Sequence, residues 1–382
     1  MSTFPNHPLT AQEKAEVTEF GKLVEVHSAN PQITLQEHRR SRIAALERTL
    51  AGRKIIYLDL KFWIYLRDPD DSPNPATNRE IRRLLYDGVA HGKLVCPLSY
   101  AIYVELISQP LAKRLETAKI MDDLSLGYCL SGPEDVYGIE LSRFFIENAS
   151  ALRRFAYSIQ PVWTKIGTLF GESYPPRGFI SEDQELAADK AIFDTMWKAT
   201  VTEMARIKKK PVKPSSVAYQ INEERRQNPR GNQTFKSMYR DELHGMLDFN
   251  QHLIDASLRD VMGLVLNPGE IPSTSFTEQI PARVFINLIR EATTRRDMGV
   301  PMQRTEAALY AFLRLDEGRP FQTNDANDIR HTAGALAYCD VFLTEKFFAS
   351  LTVRKEIQKV APMSCQVAWI PDDALSLIRA IS

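Results

Sequence analysis

Short apolar strands alternate with helices at the two ends of this chain and not between them. Any sheet it forms must therefore be assembled from segments far apart in sequence. In the first segment, Lys54-Ile55-Ile56-Tyr57-Leu58-Asp59 is a β-branched and aromatic run that ends on an acid. It reads as a buried strand with a carboxylate at its C-terminal end. The Asp- and Pro-rich stretch 68–75 marks a loop, and a helix is expected over 78–91, stopped by Gly92. Residues 93–97 read as a second strand, with Ser99 placed to cap a helix that carries Tyr100, Val104, Glu105 and Ile107. At the far end the pattern predicts a helix over 328–338, a strand over 341–344, a helix over 345–351, a strand over 366–370 and a helix over 373–381. Strands separated by helices argue for a parallel sheet covered by helices.

The region between, 111–319, is mostly helical in pattern. Candidate helices cover 111–126, 139–157, 182–209, 236–265, 277–297 and 303–315, and breaks fall at Pro- and Gly-containing stretches such as Asn267-Pro268-Gly269. Residues 10–50 read as helix, opened by a capping box at Thr10-Ala11-Gln12-Glu13. The expected organisation is an N-terminal helical arm (1–52), the first half of an α/β domain (53–110), an α-helical insertion (111–319) and the second half of that domain (320–382). No internal repeat is evident.

Charge narrows the function only locally. Lys plus Arg and Asp plus Glu number 48 each, so net charge offers no global case for nucleic acid. No run approaches the roughly 20 apolar residues of a membrane span, and Met1–Asn6 lacks the basic-then-apolar layout of a secretory signal. A cytoplasmic protein without a membrane partner is expected. The four cysteines, Cys96, Cys129, Cys339 and Cys365, form no CxxC pair and lie in or near apolar runs. Reduced, buried thiols are expected, and no structural zinc site.

In open α/β sheets, sites form at the carboxyl ends of the strands, which directs attention to Asp59 and to Thr344-Glu345. Glu105 follows the second strand on its helix, Asp328 opens a helix, and Asp340 precedes a strand. Carboxylates converging from several elements are what a hard divalent cation requires, since Mg²⁺ takes oxygen ligands. Phosphodiester hydrolysis uses such an ion to activate water and stabilise developing charge. Alone, Asp59 and Asp328 could equally cap helices, and Glu105 could be a surface acid.

The strand-and-turn Ile55-Ile56-Tyr57-Leu58-Asp59-Leu60-Lys61-Phe62-Trp63-Ile64-Tyr65-Leu66 resembles the opening strand of PIN-domain nucleases. The segment from Val95 to Glu105-Leu106 is similar to that family's second strand and acid-bearing helix. The stretch from Asn327-Asp328 through the Ala-rich helix to Asp340 and Leu343-Thr344-Glu345-Lys346 is similar to its C-terminal motif. The resemblance covers about residues 53–110 and 320–382. It implies a PIN-like three-layer α/β fold with a central parallel sheet, and an endoribonuclease that uses Mg²⁺ or Mn²⁺. Asp59, Glu105, Asp328 and Asp340 would be metal-binding and catalytic, with Thr344, His331 and Glu345 in support. Many relatives place Asp or Asn two residues after the Thr, where this chain has Lys346, so either Glu345 or Asp340 would complete the set. By the same analogy the partners would be RNA, a second copy of the chain, and an inhibitory or activating protein, as for a toxin or defence effector. The alternatives are a catalytically weak RNA-binding or protein-interaction module, and a single-strand DNA nuclease.

Two further patterns stand outside this constellation. His244, Asp248 and His252 recur every four residues on one expected helix and would share a face, either as a transition-metal set or as a solvated polar surface. Lys208-Lys209-Lys210 with Lys213, Arg225-Arg226 with Arg230, and Arg295-Arg296 are local basic clusters. Phosphate contacts from such residues give salt-dependent affinity, and Tyr219, Phe235 and Tyr239 among them could stack on unpaired bases.

Overall fold

The computed structural model describes residues 10–148, 161–169, 171, 174, 176–206, 217–227, 233–263, 299–316, 318–360 and 364–381. The candidate helix 277–297 and the basic residues Lys208, Lys209, Lys210, Lys213, Arg230, Arg295 and Arg296 lie outside them. The fold is mixed α/β: mostly helical, around a small four-stranded parallel sheet. No helix among the described residues is long and apolar enough to cross a membrane.

The N-terminal arm folds as two helices, α1 (Ala11–Ser28) and α2 (Leu35–Leu50). Each opens with a capping box, the expected one at Thr10 and Glu13 and a second at Thr34 and Glu37. The second box, with Asn30-Pro31 before it, is why the expected single helix breaks. Then follow β1 (Lys54–Leu58), α3 (Leu60–Arg67), α4 (Pro75–Ala90), β2 (Leu94–Val95), α5 (Tyr100–Ile107) and α6 (Leu111–Ser125). Ser99 caps α5 as expected, accepting from Ile102 N.

The middle of the chain contributes a two-stranded antiparallel ribbon of β3 (Tyr128–Leu130) and β4 (Trp163–Lys165), with α7 (Pro133–Asn148) between. The sequence pattern, mostly helical in this region, does not anticipate these two strands. The ribbon is stitched to the segment after β2 by Leu98 N donating to Tyr128 O (2.9 Å) and Leu130 N to Leu98 O (2.8 Å). The expected helix 182–209 is divided into α8 (Glu182–Lys198) and α9 (Val201–Arg206). Thr200 and Glu203 form reciprocal capping bonds there, and Asp122 accepts from Val201 N and Thr202 N. Next come α10 (Val217–Gln227), α11 (Phe235–Phe249), α12 (Gln251–Gly263) and α13 (Pro301–Leu315).

The chain returns to the sheet through α14 (Asp325–Tyr338), β5 (Val341–Leu343), α15 (Lys346–Thr352), α16 (Lys355–Val360), β6 (Gln366–Ala368) and α17 (Pro371–Ile381). The strand order is β2-β1-β5-β6, all neighbours parallel, with Ile56 opposite Val341 and Leu58 opposite Leu343. The two ends of the chain thus meet at the centre of the sheet. One continuous core runs from Leu46 of α2 to Ile378 of α17 and includes α11 and α13, so the middle helices share a core with the sheet.

The turn after β4 packs closely on the end of α8. A Cβ at Gly167 would lie 1.9 Å from the carbonyl oxygen of Met196, a backbone atom that cannot step aside. Gly167→Ala is therefore expected to destabilise the protein by roughly 3 kcal/mol, the upper range for overpacking. A urea unfolding midpoint unchanged from wild type would contradict this packing.

Candidate active site

The loop between β1 and α3 places Asp59 at the carboxyl edge of the sheet. Its backbone N donates to Leu343 O (2.9 Å), its side chain caps α3 through Lys61 N, and it is 8% exposed. Thr344 follows β5 at the same edge, fully buried, and donates from Oγ1 to Asp59 Oδ2 (3.1 Å). The adjacent central strands therefore end in a carboxylate and the hydroxyl that orients it. The cap of α3 and the acid at the sheet edge are one side chain, so the two readings of Asp59 do not compete.

Two helices bring further acids to this edge. Glu105 lies on α5, and Asp328 lies one turn into α14, which begins at Asp325. Asp328 is thus not the cap of its helix. Asp325 is buried and forked by Arg319 through two 2.7 Å hydrogen bonds. His331, one turn beyond Asp328, is 3% exposed, with Nε2 3.2 Å from Asp328 Oδ1 and its ring packed against both Tyr57 and Phe342, which also touch each other. Donor atoms of Glu105, Asp328 and His331 lie within 4.8 Å of one another. Glu345, the residue before α15, completes the rim. Asp59, Glu105, Asp328 and Glu345 line one cleft of ≈ 910 Å³, together with Lys61, Arg330 and the rings of Tyr65, Tyr100 and Tyr310.

The electrostatics follow from that crowding. Burial, with the charges of Asp59, Asp328 and Glu345 added, pushes the Glu105 carboxyl up to about 7, against the pull of His331. Desolvation and the charges of Asp59 and Asp328 raise Glu345 as well. For His331 burial opposes the charged ring, but the hydrogen bond to Asp328 and the charges of Asp59, Glu105 and Asp328 outweigh it and raise the ring to about 9. An imidazolium raised in the fold stabilises the protein fully below the ordinary histidine range, and that contribution is lost as pH rises through about 9. In chelator, thermal stability of the wild type should fall between pH 6.5 and 9 more steeply than that of His331→Gln. Equal slopes would mean that the ring carries no proton in the fold.

Asp340 does not belong to this set. It precedes β5, and because β5 runs parallel to β1 it sits at the opposite, amino edge of the sheet. There it accepts from Lys54 Nζ (2.7 Å) and Ile55 N (2.8 Å). Three strand residues at about 3.3 Å each, plus the flanking bonds, separate it from Thr344 by more than 10 Å. Glu345, not Asp340, is the fourth acid of the cleft. The neighbouring Lys346 places its Nζ over the Trp369 ring (5.3 Å from the centroid) and is not among the cleft-lining residues.

The other groups singled out from the sequence are placed as follows. Arg225 donates to the carbonyls of Arg319 (3.0 Å) and Leu313, satisfying one carbonyl in the last turn of α13 and one just after that helix. Arg226 is exposed and pairs with Glu223 at 3.3 Å. His244 and Asp248 lie on α11 but His252 lies on α12, and the break at Asn250 ends the shared helical face. These three do not gather as a metal-capable group among the described residues. Cys96, Cys129 and Cys339 are free and buried, and Cys365 is free and half-buried. The cleft residues that the sequence did not single out, Lys61, Tyr310 and Arg330, carry no motif of their own. Lys61 and Arg330 lie inside the stretches that carry the resemblance, whereas Tyr310 has no positional signal.

Compared with models of protein families, with curated proteins and with solved structures, the chain has no match.

Proposed function

We propose that this chain is a Mg²⁺- or Mn²⁺-dependent nuclease of the PIN-like kind, with RNA as its substrate. The observation that supports this most is the set Asp59, Glu105, Asp328 and Glu345, drawn from both ends of the chain to the carboxyl edge of one parallel sheet. Burial first, and the charges of the neighbouring acids after it, raise the Glu105 and Glu345 carboxyls, so the four acids in one cleft are costly to ionise together. A divalent cation offsets that cost, and an all-oxygen donor set suits Mg²⁺ or Mn²⁺. When bound, such an ion supplies the charge that activates water and stabilises the phosphate oxygens.

The chain's own residues divide the remaining work. Thr344 holds the Asp59 carboxylate in one orientation, and His331 does the same for Asp328. Lys61 and Arg330 on the cleft wall meet the phosphates flanking the scissile bond, and Tyr65, Tyr100 and Tyr310 offer faces for unpaired bases. The middle helices supply Tyr310 and so help select the substrate.

The test is cleavage of a pool of single-stranded RNA, transfer RNA and single-stranded DNA with Mn²⁺, with Mg²⁺ and with excess chelator. Metal-dependent cutting of RNA is the expected result. Preferential cutting of DNA would reassign the substrate, and binding of RNA without cutting would point to an inactive binding module.

A further inference from the structure

A second cluster of metal-ligating side chains lies in the N-terminal arm, outside the cleft. His27 of α1, His38 of α2 and Asp194 of α8 bring one donor atom each to within 4.8 Å of one another. His27 Nε2 is 3.2 Å from Asp194 Oδ2, and His38 Nε2 is 2.8 Å from Oδ1. The two rings meet edge to face with centroids 4.8 Å apart. We propose that this is a Zn²⁺ site, in which the ion pins α1 and α2 to α8.

The donor set is two imidazoles and a carboxylate, borderline-soft ligands of the kind zinc takes. In tetrahedral zinc with bonds of about 2.0–2.1 Å, neighbouring ligand atoms sit about 3.3 Å apart. The histidine-to-carboxylate spacings, 3.2 Å for His27 and 2.8 Å for His38, are now hydrogen bonds, and opening the shorter one by about 0.5 Å reaches that value. Two imidazoles facing one centre cannot both carry a proton without repulsion, whereas neutral rings are the form that binds metal.

Arg42 is the group that must be accommodated. Its Nε and Nη2 donate to Asp194 Oδ1 (3.1 Å) and Oδ2 (2.8 Å). A carboxylate has about four lone-pair sites, and here the two histidines take two and Arg42 the other two. An ion placed between the rings and the carboxylate replaces only the histidine contacts and leaves the Arg42 fork in place as an outer partner, the usual arrangement around metal-bound carboxylates. Lys190 donates to the carbonyls of Asn30 and Ile33, which keeps its charge engaged with the α1–α2 loop. Three protein donors leave a fourth position for water. The absence of a CxxC pair argues only against a cysteine-based zinc site.

The experiment is to strip the full-length protein with chelator, then titrate Zn²⁺ against a chromophoric competitor and record the visible spectrum with Co²⁺. Wild type and Asp59→Asn should both bind one equivalent at this site and show the intense bands of tetrahedral Co²⁺. His38→Gln and His27→Gln should lose that equivalent and those bands, and also the rise in melting temperature on adding Zn²⁺. Loss of the bands in Asp59→Asn, or retention of the equivalent in either histidine variant, would overturn the proposal. Should a histidine variant fail to fold, the wild type and Asp59→Asn spectra decide alone, because Asp59 belongs to the cleft and not to this cluster. Wild type that binds no Zn²⁺ in competition would overturn it as well.

Discussion

Asp59→Asn is expected to lower metal-dependent cleavage roughly 10³-fold, the scale on which removal of a principal electrostatic group acts. Asp340→Asn is expected to leave the same activity within a factor of about two, since surface changes away from the chemistry cost little. The pair is informative because both residues are acids flanking central strands of one sheet. Asp59 follows β1 and shares its Oδ2 with Thr344, whereas Asp340 precedes β5 and holds Lys54 and Ile55 N. Asn keeps the size of the side chain and one acceptor, so α3 retains a cap and the fold should survive. Initial rates on single-stranded RNA at saturating Mn²⁺ measure both. Equal losses in the two variants would mean that the acids act through stability. Full activity in Asp59→Asn would remove the cleft from the chemistry.

Trp63→Ala is expected to destabilise the protein by about 3–5 kcal/mol, the cost of emptying a buried aromatic site. Trp63 is fully buried on α3, and its Nε1 donates to Leu58 O at 3.0 Å. That bond ties the helix to the last residue of β1, immediately before Asp59. The truncation leaves a cavity and deprives the Leu58 carbonyl of a partner, so two costs add. Trp63→Phe, which keeps most of the volume and loses only the donor, should cost about 1–2 kcal/mol. Denaturant unfolding monitored by circular dichroism gives both numbers. A loss below about 1 kcal/mol for the alanine variant would show that α3 is not held by this side chain.

Much of the candidate site was legible because its signals are local. A run of β-branched residues ending on Asp59, a Ser positioned to cap α5, and an Ala-rich helix carrying Asp328 and His331 at one-turn spacing each report their own element. The placement of Asp340 was also within reach. In parallel strands a residue before one strand and a residue after its neighbour lie on opposite edges, so Asp340 could not join Asp59. The motif resemblance places Asp340 and Thr344 in one short stretch, but the extended strand between them carries them to opposite edges of the sheet.

The sequence by itself determined the strand and helix segments at both chain ends, the alternation that calls for a parallel sheet, and the acid at the end of β1, because strand periodicity and helix caps depend on near neighbours. Only the tertiary structure decided that Glu345 completes the cleft, that Arg225 is spent on the carbonyls of Leu313 and Arg319, and that the α11–α12 break parts His244 from His252. It alone brought His27 and His38 to Asp194, more than 150 residues along the chain. The physical reason is the same in each case: packing of helices that share no local signal settles which side chains face one another, and no spacing along the chain encodes that choice.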